Sequence, residues 1–324
     1  MILVTGGAGF IGSVLVSELN RMGEKEIIIV DRLGEDSKWL NLRGKKFEEY
    51  IHADEFFMPE NEHLIEEIKM IYHLGACSST TERDVDYLMK NNFNYSRALY
   101  QLAVDLNIPF IYASSAAVYG DGELGYDDEH GLTHDLQPLN PYGYSKLLFD
   151  QWILEQEVSP EYWIGLRFFN VFGPNETHKD DMRSLVEKGF EQIQENSKVK
   201  LFKSHREGYG DGEQKRDFIY VKDVVRAILQ FQKEGSASLS GIYNLGTGKA
   251  HSFKELIQAT FKAMDKEENI EYFDMPERFR DQYQYFTEAN MNRFFEALKG
   301  FEFTSLEDSV KDYVTEYLAK GKTH

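Results

Sequence analysis

Tyr142 and Lys146 form the pattern Tyr-x-x-x-Lys in the stretch YGYSK at 142–146. Residues four apart share one face of a helix, and an ammonium beside a phenol stabilises the phenolate. The pair therefore predicts a lowered pKa for Tyr142 and a role in proton transfer. Ser115, in the run ASSAAVYG at 113–120, follows an apolar stretch suited to a strand end and could hydrogen-bond a reacting oxygen. The chain has 19 tyrosines, so about one such match is expected by chance and the surrounding elements must decide.

A glycine-rich turn, TGGAGFIG at 5–12, lies between a predicted strand and a predicted helix. Gly6, Gly9 and Gly12 allow a tight turn, close approach of a pyrophosphate and packing of the helix on the sheet. The N-terminus of that helix offers N–H groups and a partial positive charge to the same pyrophosphate. The turn therefore predicts a dinucleotide-binding site.

The residues after the second predicted strand give conflicting signals about the cofactor. Asp31, nineteen positions after Gly12, can accept bonds from the adenosine ribose, which favours NAD. Arg32 and Lys38 could instead neutralise a 2′-phosphate, which favours NADP. The residues alone leave this preference open.

These residues fall on an alternation of short apolar runs and amphipathic stretches. Strands are predicted over 2–5, 26–30, 71–74, 109–112, 162–169 and 241–245, and helices over 12–22, 92–106, 144–157 and 221–231. Apolar strands separated by helices are typical of a parallel sheet covered on both faces, so we predict an α/β fold with a doubly wound (Rossmann) sheet. The charged, Gly-rich stretch 203–216 has no periodicity and indicates a surface loop. From residue 252 on, helices with one or two short strands are expected.

The composition excludes several classes of function. The 324 residues carry 36 Lys and Arg against 55 Asp and Glu, a net charge of −19, which opposes general binding to nucleic acid or anionic membranes. No apolar stretch reaches about 18 residues, so no membrane span is expected. The first predicted strand leaves no room for a secretory signal, and we expect a cytoplasmic protein. The single cysteine, Cys77, and the lack of zinc spacing predict neither a disulfide nor a metal site.

Together the motifs resemble the extended short-chain dehydrogenase/reductase superfamily, whose members mostly act on nucleotide sugars. The resemblance is carried by GGAGFIG at 6–12, Asp31, Tyr142 with Lys146, RFFNVFGP at 167–174 and RDFIYVKDV at 216–224. It implies a cofactor-binding Rossmann domain of residues 1–170 plus about 215–247. A smaller α/β lobe, of about 171–214 plus 248–324, would then bind the nucleotide sugar.

Further stretches resemble one family more specifically, the ADP-glyceromanno-heptose 6-epimerases. They are HLGACSSTTE at 73–82, KNN at 90–92, YASSAA at 112–117 and HK at 178–179, and the similarity extends over essentially the whole chain. It implies that C6 of ADP-D-glycero-β-D-manno-heptose is oxidised and then reduced from the opposite face. One tightly bound NADP per subunit would serve both steps, in the supply of heptose for the lipopolysaccharide inner core. It also implies a homo-oligomer, a pentamer by analogy, with no nucleic-acid or membrane partner.

Such a reaction needs two bases on opposite sides of C6, because one base cannot reach both. By the resemblance, Tyr142 is one base and Lys179 the other, while Ser115 supports the oxygen and Lys146 tunes Tyr142. Without the resemblance, Lys179 would be interpreted as an ordinary surface lysine in a loop.

The resemblance also assigns binding residues and tips the cofactor towards NADP. Arg216 would bind the ADP diphosphate, because a planar guanidinium can hold phosphate oxygens in pairs. Cys77 is expected to be a small wall residue against the cofactor rather than a nucleophile. The implied cofactor contacts are Gly6, Gly9, Phe10, Ile11, Gly12, Asp31, Arg32, Lys38, Leu74, Gly75, Ala76, Cys77, Ser78, Asn91, Tyr142, Lys146, Val171 and Lys179. The implied substrate contacts are Ser115, Asn170, Asp181, Lys188, Phe202, Arg216 and Tyr283.

The chain departs from this family at several positions. Ala53 stands where the family has a cofactor lysine, Asp181 replaces a serine and Lys188 a histidine, and the loop at 203–214 is longer. These changes lie around the sugar nucleotide and the adenosine phosphate. They concern substrate choice and the NADP preference rather than the chemistry.

Two alternatives stay open at this point. An NAD-dependent nucleotide-sugar 4-epimerase would share Ser115, Tyr142 and Lys146 but would not need Lys179. A non-enzymatic cofactor-sensing scaffold would keep the glycine turn but tend to lose the Tyr/Lys pair. A 4,6-dehydratase is disfavoured, because Ala116 and Ala117 stand where its acid and base would be.

Overall fold

The computed structural model describes residues 1–35, 37–280 and 284–324. The strands are β1 (Ile2–Thr5), β2 (Ile27–Asp31), β3 (Glu49–His52), β4 (Met70–His73), β5 (Phe110–Ser115), β6 (Trp163–Phe168), β7 (Asn170–Phe172), β8 (Val199–Phe202), β9 (Lys215–Tyr220), β10 (Gly241–Leu245), β11 (Ala250–Ser252) and β12 (Ile270–Phe273). The α-helices are α1 (Phe10–Arg21), α2 (Glu62–Ile65), α3 (Val85–Leu88), α4 (Tyr95–Leu106), α5 (Pro141–Leu154), α6 (Leu185–Asn196), α7 (Val221–Glu234), α8 (Phe253–Ala263), α9 (Glu277–Arg280), α10 (Asn292–Ala297) and α11 (Leu306–Asp312).

In the described part of the chain, a wholly parallel sheet has the strand order β10-β6-β5-β4-β1-β2-β3. The order reverses between β1 and β4, and ligands of doubly wound sheets bind beyond the carboxyl ends of the strands at such a reversal. At this edge Thr5 pairs with Val30 on one side and with His73 on the other. The predicted fold class is confirmed, and β10 returns to this sheet beside β6, as predicted for 241–245.

The sheet is buried on both faces because its side chains alternate. In β1, Leu3 packs into the apolar cluster on one face, with Ile28 and Ile71, and Val4 packs into the cluster on the other face, with Ile29. All of these side chains are fully buried. Burial on this scale is the dominant favourable contribution to folding, and it fixes where the strand ends lie.

Two smaller sheets complete the described chain. Strand β9 pairs in parallel with β7 and antiparallel with β11, and β8 pairs in parallel with β12. The β8–β12 pair packs on α6 and α8 through Val199, Leu201 and Ile257. The division into a cofactor domain and a substrate lobe stays a prediction. Among the described helices, none has the length and apolar character needed to cross a bilayer.

Several element boundaries differ from the predictions for local reasons. Helix α5 begins at Pro141 rather than at 144, because the Asn140 side chain caps it by accepting a bond from Gly143 N at 2.8 Å. Proline is favourable at this first helical position. Strand β3 was not predicted, since only Ile51 of its four residues is buried. The predicted loop 203–216 ends two residues early, where Lys215 begins β9.

Candidate active site

The glycine turn leaves the start of α1 open to an anionic ligand. Gly6 has φ +68°, and a Cβ there would lie 2.7 Å from Gly75 Cα. A Cβ on Gly12 would lie 2.1 Å from the Gly6 carbonyl oxygen. No side chain caps α1 at Gly9, and its first turn holds no acidic residue. The first backbone N–H groups of α1 can therefore bind a pyrophosphate, so the residues present fit a dinucleotide cofactor.

Asp31, at the end of β2, is buried and bonded mainly to the backbone. Its Oδ2 accepts a bond from Ala8 N at 2.9 Å, and its Oδ1 accepts one from Arg32 N at 2.7 Å. Lys38 Nζ lies 3.3 Å from the same Oδ1. The Arg32 guanidinium pairs with Asp54 at 2.6 Å. Both cations predicted for the adenosine end are thus in place, and each faces a carboxylate.

Tyr142, in the first turn of α5, is hydrogen-bonded to Ser115 at the end of β5. Burial raises the pKa of Tyr142, and the hydrogen bond from Ser115 opposes that rise. The pKa lowering predicted from Lys146 is wrong for this structure. The Lys146 ammonium donates instead to the carbonyl oxygen of Ala113 at 2.9 Å. Desolvation therefore outweighs any effect of that ammonium on the phenol.

Lys146 lies one turn further along α5, and burial lowers its pKa to about 8 against the opposing charge of Asp150. Asp150 and Arg167 form a fully buried ion pair at 2.9 Å. The Asp150 carboxylate also accepts bonds from the hydroxyls of Tyr112 and Ser114, each at 2.9 Å. This network ties α5 to β5 and β6, and thus positions Ser115, Tyr142 and Lys146. This network was not predicted from the sequence. The available signal was a charged residue inside each of two apolar elements, Asp150 in α5 and Arg167 in β6.

Lys179 lies on the helical turn Thr177–Met182, and its Nζ is 5.1 Å from the centre of the Phe10 ring. Burial lowers the pKa of Lys179, whereas the carboxylates of Glu176 and Glu187 raise it. The next residue, Asp180, has φ +46°, which is unfavourable for a residue with a side chain. The turn therefore holds a largely desolvated amine close to the glycine turn.

One cavity of about 640 Å³ brings together most of the predicted catalytic and substrate residues. A second cavity of about 110 Å³ holds the predicted adenosine residues, and Ala76 lines both. The predicted residues that line the larger cavity are Phe10, Ile11, Leu74, Ala76, Ser78, Ser115, Tyr142, Lys146, Asn170, Val171, Lys179, Lys188 and Phe202. Those that line the smaller cavity are Gly6, Asp31, Arg32, Lys38, Gly75, Ala76, Cys77 and Asn91. Burial raises the pKa of the Cys77 thiol, as suits a wall residue rather than a nucleophile.

Two predicted substrate residues that the structure describes, Arg216 and Asp181, do not line either cavity. Arg216, on β9, is buried 5.6 Å from the ring of Phe253, which lines the larger cavity, but Arg216 itself does not line it. Asp181 is exposed, and its carbonyl oxygen accepts a bond from Lys188 Nζ at 2.6 Å. Tyr283 lies outside the described residues. Among the residues described, no group of His, Cys, Asp and Glu could hold a metal ion.

Asn41 is a further site residue that the sequence did not reveal. Its amide nitrogen donates to the carbonyl oxygens of Ala8 and Asn175, at 3.0 and 3.1 Å, and lies 3.2 Å from His178 Nδ1. Asn41 therefore connects the glycine turn to the segment that carries Lys179. A contact between residues 134 positions apart leaves no local pattern in the sequence.

A doubly wound sheet with an open glycine turn, and with Ser, Tyr and Lys side chains at its carboxyl edge, defines a nicotinamide-dependent enzyme of the short-chain dehydrogenase/reductase type. Residues 2–246 match the model of the NAD dependent epimerase/dehydratase family. The chain belongs to this family.

Relatives that match over the full length narrow the assignment. The chain is 50% identical to the ADP-L-glycero-D-manno-heptose-6-epimerase of Fusobacterium nucleatum and 47% identical to that of Nitratidesulfovibrio vulgaris, covering 100% of both chains in each case. It superimposes on the crystal structure of the Helicobacter pylori ADP-L-glycero-D-manno-heptose-6-epimerase with a TM-score of 0.81. That alignment has 30% identity and covers 97% of this chain and 95% of the other. The predictions of an epimerase and of a nicotinamide cofactor are confirmed, as is the resemblance to the heptose 6-epimerases.

Proposed function

We propose that the enzyme epimerises C6 of ADP-D-glycero-β-D-manno-heptose to the L-glycero form through bound NADP, in the supply of heptose for the lipopolysaccharide inner core. One observation carries the proposal: the larger cavity is lined both by Ser115, Tyr142 and Lys146 and by Lys179. Two proton-transfer groups on separate elements thus reach the same space. A single-base mechanism would not require this arrangement.

The proton steps follow from these side chains. When bound, the nicotinamide would accept a hydride from C6 and later give it back to the same carbon. As hydride leaves, either Tyr142 or Lys179 takes the proton of the C6 hydroxyl, and a ketone remains. The ketone then exposes its opposite face to the cofactor site. When hydride returns to C6 from that side, the other residue gives a proton to the ketone oxygen, so no net oxidation occurs. Ser115 donates a hydrogen bond to that oxygen, and Lys146 orients the cofactor ribose.

NADP is the cofactor that the adenosine end favours. Asp31 uses its carboxylate on two backbone N–H groups and Lys38, which leaves it less available to a ribose. Arg32 and Lys38 line the smaller cavity and provide positive charge for a 2′-phosphate. We expect mass spectrometry of nucleotide released from the purified enzyme to show NADP. Release of NAD alone would reject this preference.

The substrate and the second base are tested together. The enzyme is incubated with ADP-D-glycero-β-D-manno-heptose and, separately, with UDP-glucose, and the products are resolved by NMR. We expect inversion at C6 of the heptose only. Lys179→Met should slow this reaction by about 10²–10⁴-fold, the usual contribution of a general base. The exposed Lys233 provides the control Lys233→Met, which should retain full activity.

Two outcomes would contradict the proposal. Conversion of UDP-glucose without conversion of the heptose would identify a 4-epimerase. Normal heptose turnover by Lys179→Met would show that a single base is sufficient.

The resemblance also leads us to propose a homo-oligomer, a pentamer, that acts in the cytoplasm. Light scattering after size exclusion is expected to give five times the chain mass of 37.6 kDa. A mass equal to that of one chain would reject the assembly.

A further inference from the structure

The adenosine pocket is defined here as the smaller cavity, whose lining includes Asp31, Arg32, Lys38, Ala53 and Tyr95. The positive and negative side chains of this pocket nearly balance each other. Arg32 and Lys38 are its cations, and Ala53 contributes none. Lys38 Nζ lies 3.3 Å from Asp31. The affinity of this pocket for an additional phosphate therefore depends strongly on Arg32.

Asp54, next to Ala53, engages Arg32 through two hydrogen bonds. Arg32 Nε donates to Asp54 Oδ2 at 3.2 Å, and Arg32 Nη2 donates to Asp54 Oδ1 at 2.6 Å. A carboxylate bound in this paired manner occupies the same edge of the guanidinium that would bind two phosphate oxygens. Asp54 is about half exposed and Arg32 about one-third exposed, so solvent and ligands can compete for this pair.

Tyr95 indicates that the same pocket receives a hydrogen-bonding ligand. Its side chain lines the pocket, and within the described chain its hydroxyl is buried without a hydrogen-bond partner. Buried hydroxyls without a partner are rare, because their desolvation costs free energy. A ligand oxygen in the pocket would satisfy this hydroxyl beside Arg32.

We propose that Asp54 determines cofactor specificity by competing with the 2′-phosphate of NADP for Arg32. The phosphate must displace Asp54 from the guanidinium and then remain near its negative charge. NAD lacks this phosphate and is not affected by either requirement. Asp54 therefore lowers the preference for NADP over NAD in a chain that already has Ala53. This inference rests on the nicotinamide-dependent function proposed above.

The test compares cofactor occupancy in the intact enzyme and in the variant Asp54→Asn. Each protein is equilibrated with equal concentrations of NADP⁺ and NAD⁺, separated from free nucleotide and denatured, and the released nucleotides are quantified. Removing the competing charge should raise the ratio of bound NADP to bound NAD by about five- to tenfold, as expected for a hydrogen-bonded ion pair at a partly exposed site. In the background of Arg32→Ala the competition for the guanidinium is absent and only the repulsion between Asp54 and the phosphate remains, so the same Asp54→Asn substitution should raise the ratio by less.

Glu55 provides the matched control, because Glu55→Gln removes the same charge one position further along the exposed chain. The inference is overturned if Asp54→Asn leaves the ratio unchanged, or if Glu55→Gln raises it equally. Heptose epimerisation is measured separately on the same samples. A raised ratio without heptose turnover would support the inference and reject the proposed substrate, whereas turnover with an unchanged ratio would do the reverse.

Discussion

At the residue scale, burial controls the ionisation of the proposed catalytic groups more than neighbouring charges do. It raises the pKa of Tyr142 and lowers the pKa values of Lys146 and Lys179. Each shift favours the neutral form of its group. The two amines are consequently easier to deprotonate than an exposed lysine, which suits a group that exchanges a proton near neutral pH.

Tyr142→Phe removes the phenol while keeping the ring in its buried position. Because the phenol, hydrogen-bonded to Ser115, is the proposed proton-transfer group, we expect kcat to fall by about 10²–10⁴-fold while the cofactor stays bound. Heptose turnover and released nucleotide are measured on the same preparation. Tyr144→Phe is the control, since Tyr144 lies two positions away with 47% of its surface exposed and should retain the rate. Equal rates for the two variants would remove Tyr142 from the mechanism.

The residue types and spacings predicted the Tyr/Lys pair, Ser115 and the glycine turn, all of which lie at one edge of the sheet. They did not predict the direction of the pKa shift of Tyr142. The spacing of Tyr142 and Lys146 indicates that they share a helix face, but not that Ala113 binds the Lys146 ammonium. That contact depends on how α5 packs on β5, which is a tertiary property.

At the scale of elements, the segment carrying Lys179 is held by Glu176. Its buried carboxylate accepts bonds from Gly173 N at 3.2 Å, from Ser184 N at 2.6 Å and from Ser184 Oγ at 2.6 Å. One side chain therefore closes the segment at both ends and also places negative charge near Lys179. In the proposed mechanism, Glu176 would act through Lys179, as a positioning residue.

Glu176→Gln replaces an acceptor by an amide that cannot accept all three bonds. We expect a loss of about 1–3 kcal/mol in the free energy of unfolding, the usual cost of unsatisfied buried donors. The pKa of Lys179 should also fall further, because a charge that raises it has been removed. The pH dependence of kcat should show this as a shift of the Lys179-dependent limb to lower pH.

Glu191→Gln is the control for Glu176→Gln, because the Glu191 side chain is about half exposed and pairs with Arg183 instead. It should change neither quantity. An unshifted pH profile for Glu176→Gln with reduced stability would leave Glu176 a structural role only.

The sequence predicted most long elements, because each follows one clear periodicity. It did not predict β3, whose four residues EYIH include one buried residue, and it began α5 three residues late. The Asn140 cap and Pro141 carried the information needed for that start. The turn that holds Lys179 could not be predicted, because it includes an unfavourable φ angle at Asp180. The contacts of Asn41 could not be predicted either, because a tertiary contact leaves no local pattern in the sequence.

At the scale of the whole molecule, the strand order places the site at the reversal between β1 and β4. His73, at the end of β4, connects the elements around this reversal. Its Nδ1 lies 2.7 Å from Thr5 Oγ1 at the end of β1, and its Nε2 lies 2.8 Å from Ser96 Oγ on α4. Thr5 Oγ1 in turn accepts a bond from Gly75 N. The site is therefore built over a buried histidine that the catalytic steps do not use.

Protonation of His73 is expected to destabilise the whole fold. Burial, assisted by the charge of Lys146, lowers the pKa of His73 to about 3 from 6.5. Between these pH values the unfolded chain binds more protons than the folded chain, so stability falls as the pH falls from about 6.5 towards 3. The limiting loss is on the order of 5 kcal/mol. His73→Gln should therefore show a smaller loss in the free energy of unfolding between pH 7 and pH 5 than the unmodified enzyme in denaturant titrations.

His63→Gln is the matched control for His73→Gln, because it removes a histidine that is exposed rather than buried. His130 and Asp128 also titrate in this range, since burial lowers the pKa of His130 to about 4 and raises that of Asp128 to about 6. Their effects have opposite signs and are common to all the proteins compared, so the difference between variants isolates His73. If His73→Gln lost as much stability on acidification as the unmodified enzyme, the acid sensitivity would have to arise from other groups.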